Sequence, residues 1–208
     1  MRLKKVKGAS EKLRSSPYCL ELDKLEINEK IWDNNNQVHL EIGIGKGQFL
    51  TTLAKLNPHI NYLGVEMFDS VIIRAIEKAE TACLNNIKFI RCDALLLNDK
   101  FDKYFSHIYL NFSDPWPKNR HEKRRLTFKT FLDLYNKILK VNSCLTFKTD
   151  NSLLFEYSVK SVNNYGCIIN KFSIDLHNSI YNKDNICTEF ENKFSSLGEK
   201  IKMLEIKF

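Results

Sequence analysis

The sequence predicts an α/β fold with a doubly wound, mainly parallel sheet and an antiparallel pair of strands at the C-terminal end. Short apolar segments typical of strands alternate with segments whose apolar residues recur at helical spacing. Five successive strand segments run into a glycine loop or an acidic residue, and the tail holds two further strand segments. Such alternation favours a sheet with helices on both faces.

The individual elements follow from local patterns of apolar residues and from the turn signals between them. Strands are predicted, in chain order, at residues 38–42, 62–65, 87–91, 107–112 and 144–148, and then at 167–172 and 201–208. Helices are predicted at residues 48–56, 70–83, 126–139 and 152–162. Asn57-Pro58 ends the first of these helices.

The chain is expected to form a single folded domain. It has 208 residues, of which 43% are hydrophobic, and this suits one globular core. The first 36 residues are polar, basic and weakly periodic. We therefore predict a basic N-terminal arm or lead-in over residues 1–36, followed by one domain over residues 37–208.

Charge and residue usage restrict the partners. The net charge of +7 favours a polyanion such as nucleic acid, although many basic residues serve only to solvate a surface. No segment approaches 18 apolar residues, so we expect a cytoplasmic protein without a membrane association. The six cysteines show no C-x-x-C spacing, which predicts no metal site. Monomer and homodimer both remain open.

Functional groups are predicted to gather at one edge of the sheet. The carboxyl ends of parallel strands share an edge, and ligands of such sheets bind there. The groups that follow the five strands are the glycine loop 43–47, Glu66, Asp93, Asp114 and Asp150. The alternative is that these acids are ordinary surface residues, but their shared position next to a glycine loop favours a binding site.

The glycine loop carries Gly43, Gly45 and Gly47 between a strand and a helix. Its G-x-G-x-G spacing matches neither the dinucleotide fingerprint G-x-G-x-x-G nor the phosphate loop ending in G-K-[ST]. S-adenosyl-L-methionine has no phosphate but carries an amino group and a sulfonium. Glu41, just before the loop, suits those positive groups, and we predict this cofactor.

The next two strand ends suit the rest of the same cofactor. Glu66 can accept hydrogen bonds from both ribose hydroxyls, because a carboxylate offers several acceptor positions. Asp93 suits the amino group of adenine.

The most informative stretch is NFSDPWPKNRHEKRRL, residues 111–126. Its prolines restrict the backbone, and Trp116 offers a face for stacking on a base. The cations that could contact phosphates are Lys118, Arg120, Lys123, Arg124 and Arg125. The alternative is a rigid turn followed by a solvated, charged start of a helix.

At this point the sequence resembles the tRNA (guanine-N7)-methyltransferase family, from about Val38 to near Leu204. The motifs that carry the resemblance are LEIGIGKGQFL, GVE, NFSDPWPKNRHEKRRL, FKTDN and TEFE. It implies a Rossmann-like class I methyltransferase fold. It also implies methyl transfer from S-adenosyl-L-methionine to N7 of a guanine in tRNA, guanine 46 of the variable loop, giving 7-methylguanosine. The segment VNSC replaces a glycine-rich turn of the family, and the first 36 residues match poorly.

The resemblance also implies roles for individual residues. Cofactor contacts fall on Glu41, Glu66, Asp93 and Asp114, together with the loop glycines Gly43, Gly45 and Gly47. Asp114 is also placed as the catalytic residue. Substrate-binding positions fall on Lys118, Asp150, Thr188, Glu189, Phe190 and Glu191. The RNA-contacting segment covers Arg120, His121, Lys123, Arg124 and Arg125.

The chemistry of the target atom limits what these residues must do. Guanine N7 has a free lone pair and no proton to lose, so positioning and desolvation matter more than a general base. Asp114, Asp150 and Glu191 could bind the N1–H and amino donors of guanine and offset the positive charge of the product. A proton-abstracting role for Asp114 is less favoured on this chemistry.

Three other functions compete. A methyltransferase acting on an exocyclic amino group uses an Asp/Asn-Pro-Pro-aromatic turn, which residues 113–116 partly match, but the basic extension then has no explanation. A non-catalytic RNA-binding module is disfavoured by the intact glycine loop and the aligned acids. The glycine spacing and the basic segment disfavour a nicotinamide oxidoreductase.

Overall fold

The computed structural model describes residues 8–208 and contains one eight-stranded sheet in the order β1-β4-β3-β2-β5-β6-β8-β7. The strands are β1 Cys19–Leu20, β2 Gln37–Ile42, β3 Ile60–Glu66, β4 Ile87–Arg91, β5 Phe105–Asn111, β6 Leu139–Thr149, β7 Ile168–Ser173 and β8 Lys202–Lys207. Neighbours among β1 to β6 pair in parallel, and β8 pairs antiparallel with β6 and β7. This confirms the predicted mainly parallel sheet with its antiparallel C-terminal pair.

Six α-helices accompany these strands in the described part of the chain. They are α1 Ala9–Ser15, α2 Gln48–Leu56, α3 Asp69–Thr81, α4 Lys129–Ile138, α5 Ser152–Tyr165 and α6 Glu189–Ser196. The four predicted helices are present, but α4 begins at Lys129 rather than at residue 126. The basic residues before it form a separate 3₁₀ helix, Asn119–Arg124, after which Arg125 is extended. Helix α6 was not predicted.

The helices cover both faces of the sheet because strand residues alternate between two apolar clusters. On β4, Ile90 belongs to a cluster that includes the apolar faces of α4 and α5. Its neighbour Phe89 belongs to a second cluster, with the apolar faces of α2 and α3. This two-sided burial is the doubly wound arrangement that the strand–helix alternation predicts.

Part of the predicted N-terminal lead-in packs on the domain. Leu13 of α1 joins the cluster of α2 and α3, and Trp32 lies in the opposite cluster. Cys19 of β1 pairs with Phe89 of β4. Residues 1–7 lie outside the described residues, so the proposed division at residue 37 stays a prediction.

The chain order creates a switch point between β2 and β5. From β2 the chain adds β3 and β4 on one side, and it then returns to add β5 and β6 on the other. Ligands of such sheets bind where the order reverses, at the carboxyl ends of the strands. The loops there are residues 43–47 and 112–118. No helix within residues 8–208 has the length and apolar character needed to cross a bilayer.

Candidate active site

The three loop glycines have positive φ angles, which only glycine adopts without strain. The angles are +74° at Gly43, +55° at Gly45 and +72° at Gly47. A Cβ atom on Gly43 or Gly45 would meet nothing within 4 Å, whereas one on Gly47 would lie 2.9 Å from Cα of Ala75. The first two glycines therefore leave open space above the strand end, and the third lets α2 pack against α3.

Glu66 holds the glycine loop and the turn after β3 by accepting hydrogen bonds from backbone N–H groups. Its Oε2 accepts a hydrogen bond from the Gly45 N–H at 3.1 Å, and its Oε1 accepts from the N–H groups of Met67 and Phe68 at 2.8 and 3.2 Å. Burial raises the pKa of Glu66, and the nearby charge of Asp114 acts in the same direction. A carboxylate has about four lone-pair sites, so Glu66 can accept a further hydrogen bond from a ligand hydroxyl.

Glu41, at the end of β2, is deeply buried, with 2% of its surface exposed. Asn111 Nδ2 donates to its Oε1 at 2.8 Å. Its Oε2 and the Oδ1 of Asn111 are buried without a hydrogen-bond partner among residues 8–208. Burial raises the pKa of Glu41 to about 8. These two oxygens can still accept hydrogen bonds, and they suit a ligand ammonium group.

A cavity of about 720 Å³ continues this edge beyond Glu66. Its walls include Met67, Cys92, Asp93 and Leu96. Asp93 is exposed, and its Oδ1 accepts from the Leu95 N–H at 3.0 Å, which begins a short 3₁₀ helix. Asp93, the predicted adenine contact, therefore lies in the wall of a cavity that is large enough for a ligand.

The N-terminal helix closes the far side of the same cavity. Ser10 of α1 donates to Asp69, which also pairs with Arg91 at 2.7 Å. All three residues line the cavity. Sequence reasoning missed this contribution, because an isolated seven-residue helix gives little periodic signal.

The loop after β5 carries the predicted catalytic residue, Asp114, at an exposed position. Asp150 follows β6, the neighbouring strand, and is half-buried. Within residues 8–208 neither carboxylate has a hydrogen-bond or ion-pair partner. Two uncommitted acids thus end adjacent strands.

The basic segment divides into outward-facing and inward-facing residues. Lys118, Arg120 and Lys123 are exposed and have no ion-pair partner in the described part of the chain. The Arg124 guanidinium lies 4.8 Å from the centre of the Trp116 ring, while its side chain is exposed. Arg125 is half-buried and binds the backbone of the preceding loop.

His121 belongs to the same group of contacts. Its ring meets the Trp116 ring edge-on, with centroids 5.6 Å apart. Trp116, predicted as a stacking face, is therefore itself packed by its neighbours.

The TEFE segment is a helix start. Thr188 is the N-cap of α6, and its Oγ1 accepts from the Glu191 N–H at 2.9 Å. Glu191 Oε2 accepts in return from the Thr188 N–H at 3.4 Å. This reciprocal capping box has the sequence signature T-x-x-E, which sequence reasoning passed over.

Glu191 is fully buried, and its carboxylate is occupied by protein groups. Lys148, also buried, places Nζ 2.7 Å from Glu191 Oε2 and donates to the Ile186 carbonyl at 2.9 Å. His177 Nε2 lies 2.8 Å from Glu191 Oε1. Although burial acts against it, Lys148 and the hydrogen bonds hold the pKa of Glu191 below its usual value. A charged Lys inside the apolar strand LTFKT was the sequence signal for this site.

Three further contacts tie α6 to the rest of the edge. Glu189, which is exposed, pairs with Lys78 of α3 at 2.8 Å and lies 3.9 Å from Lys46 of the glycine loop. Phe190 stacks on Phe112 at the end of β5, with centroids 6.4 Å apart. The structure thus brings the predicted substrate segment beside the predicted cofactor loop.

One group of side chains could supply ligands to a metal ion. Ligand atoms of His177, Cys187 and Glu191 lie within 4.8 Å of one another. The Glu191 charge is already balanced by Lys148, and burial raises the pKa of the Cys187 thiol, which disfavours the thiolate that a metal needs. The expectation of no metal remains a prediction.

A sheet with a switch point, a glycine loop and an acid at the next strand end defines a Rossmann-like fold. The solved structure of an antibiotic-related methyltransferase aligns with all of this chain and 96% of its own, with a TM-score of 0.59 and 17% identity. That likeness concerns the fold. Residues 35–204 match a family model described as "Putative methyltransferase".

Closer relatives specify the family. A tRNA (guanine-N(7)-)-methyltransferase of Bacillus velezensis is 50% identical over 86% of this chain and 82% of its own. One from Streptococcus pneumoniae is 46% identical over the whole of both chains. The chain belongs to the tRNA (guanine-N7)-methyltransferase family of enzymes, which confirms the resemblance.

Proposed function

We propose that this enzyme acts in the cytoplasm and transfers a methyl group from S-adenosyl-L-methionine to N7 of guanine 46 in the variable loop of tRNA, giving 7-methylguanosine. The observation that carries the proposal is that the open glycine loop and two uncommitted acids, Asp114 and Asp150, follow three neighbouring strands, β2, β5 and β6, with the exposed cationic segment directly after Asp114. The family membership supports the same reaction.

The residues at the glycine loop fit the cofactor. The unpaired oxygens of Glu41 and Asn111 can accept from its ammonium group, and Glu66 can accept from a ribose hydroxyl. Asp93, in the cavity wall, is suited to the adenine amino group. When bound, the cofactor supplies an electrophilic methyl group on a sulfonium.

The protein residues orient the guanine. N7 has no proton to lose, so no general base is needed, and Asp114 and Asp150 can accept from the N1–H and the amino group. Their negative charges also offset the positive charge that the purine ring acquires. Glu191 acts indirectly, because its buried carboxylate holds Thr188 and the start of α6 in place.

The exposed cations provide the hold on tRNA. Lys118, Arg120, Lys123 and Arg124 face solvent next to Asp114 and can contact phosphates without reading sequence.

Product analysis tests this function. The enzyme is incubated with unfractionated tRNA and the labelled cofactor, and the modified nucleoside is identified by chromatography. We expect 7-methylguanosine, loss of labelling with E66A, and loss of labelling on a transcript with adenine at position 46. Label on an exocyclic amino group would instead support the amino-group methyltransferase.

A further inference from the structure

The loop between β5 and the basic 3₁₀ helix has an unusual backbone. Phe112 and Trp116 have φ angles of +52° and +42°, which bulky residues rarely adopt. Pro115 and Pro117 have no N–H to donate, and no backbone–backbone hydrogen bond involves residues 113–117 in the described part of the chain. This loop, which carries Asp114, therefore depends on side chains for its shape.

Arg125 supplies the polar contact that holds it. Nε and Nη2 of Arg125 both donate to the carbonyl oxygen of Trp116, at 3.3 and 3.1 Å. The guanidinium carbon lies 4.2 Å from the centre of the Tyr157 ring. The guanidinium is thus used twice inside the protein, by hydrogen bonds in its plane and by stacking on its face.

Tyr157 belongs to α5, the helix that follows Asp150. Through Arg125, the loop that carries Asp114 is therefore joined to the helix after Asp150. Arg125 thus connects the segments that follow β5 and β6, and the guanine is proposed to bind at the ends of these two strands.

We propose that Arg125 is a positioning residue that holds the Asp114 loop in its left-handed turn against α5, and that it is not a phosphate contact. This inference rests on the proposed function only where kcat is measured. It gives Arg125 a different role from Arg120, which is exposed, has no partner within residues 8–208 and remains available to tRNA.

The decisive variant is R125K. Lysine keeps the positive charge and a phosphate contact, but it lacks the planar fork that binds the Trp116 carbonyl and stacks on Tyr157. We expect R125K and R125A to lower kcat alike, by about 10- to 100-fold, because the loop is misplaced. The slope of log tRNA affinity against log salt should stay at the wild-type value in both.

R120A is the matched control. Loss of one phosphate contact should flatten that slope by about 0.7–0.9 and raise KM for tRNA. If R125A flattens the slope as R120A does while R125K behaves as wild type, Arg125 is a phosphate contact and the proposal is overturned. Normal kcat in both Arg125 variants would also overturn it.

Limited trypsin digestion measures how accessible the loop is to cleavage, and it needs no methylation assay. R125K and R120K conserve the number of tryptic sites, and we expect faster cleavage between residues 118 and 125 only in R125K. If wild-type enzyme makes no 7-methylguanosine, the proposed function fails, whereas the digestion still decides the role of Arg125.

Y157L tests the same contact from the side of α5. It removes the stacking surface without changing charge, so it should lower kcat and accelerate the same cleavage. Its effect should not add to that of R125K, because the two residues act through one contact. Full additivity, or an unaffected loop in Y157L, would contradict the proposal.

Discussion

Gly47 and Gly43 have nearly the same backbone conformation but different surroundings, so a matched pair of alanine variants separates strain from packing. Their φ angles are +72° and +74°. An alanine at either site pays about 1–2 kcal/mol for the left-handed conformation. At Gly47 the added Cβ would also lie 2.9 Å from Cα of Ala75 and closer still to its Cβ. Such overpacking adds about 1–3 kcal/mol.

We therefore expect G47A to be destabilised by about 2–5 kcal/mol and G43A by about 1–2 kcal/mol. In a chain of this size, each kcal/mol lowers Tm by about 2–4 °C. Urea unfolding and thermal melting of the two variants give the comparison. G43A should lose cofactor affinity in calorimetry while staying folded, because its Cβ enters the open space of the glycine loop. Equal stabilities of G47A and G43A would refute the packing role assigned to Gly47.

Three further predictions follow from the buried and catalytic groups. D114A should lower kcat by about 100-fold or more with little change in KM for tRNA, measured by steady-state methylation, because Asp114 is proposed to act on the reacting base. K148M should lower the free energy of unfolding by about 3–5 kcal/mol, since Glu191 is left buried without its cation, and K148M/E191Q should recover part of that loss. Burial lowers the pKa of His107 to about 4, below its ordinary 6.5. The unfolded chain therefore takes up this proton first, and stability should fall as pH drops from about 6.5 towards 4, less steeply in H107Q, as urea unfolding at several pH values would show.

The fold was predictable because its signals are local and repeated. Apolar segments end at Glu66 and Asp93, and the strand-end rule places these acids at one edge without any structure. The extra edge strand β1 has only two residues, and such a strand carries no periodic signal. Helix α6 carried the T-x-x-E signal of a capping box, but the same letters matched a substrate motif and were given that function alone.

The site was less predictable because sequence shows residue type and not orientation. Arg124 and Arg125 are neighbours in one cationic run, yet one is exposed and the other is turned into the protein. Glu191 has the chemistry of a guanine acceptor, but Lys148, more than forty residues earlier in the chain, occupies its carboxylate. The Lys inside LTFKT indicates a buried cation, but its partner depends on which segment packs against β6, and no local pattern reveals that.

The most direct test of the account replaces a single atom of the substrate. A tRNA carrying 7-deazaguanine at position 46 keeps the N1–H and amino donors that Asp114 and Asp150 are proposed to bind, but it has no nucleophilic nitrogen at position 7. Labelled cofactor, this tRNA and its unmodified counterpart are compared for binding and for methyl incorporation. We predict similar affinity for both tRNAs and no incorporation into the deaza form. Incorporation at the same rate into both would show that the methyl group goes to another atom.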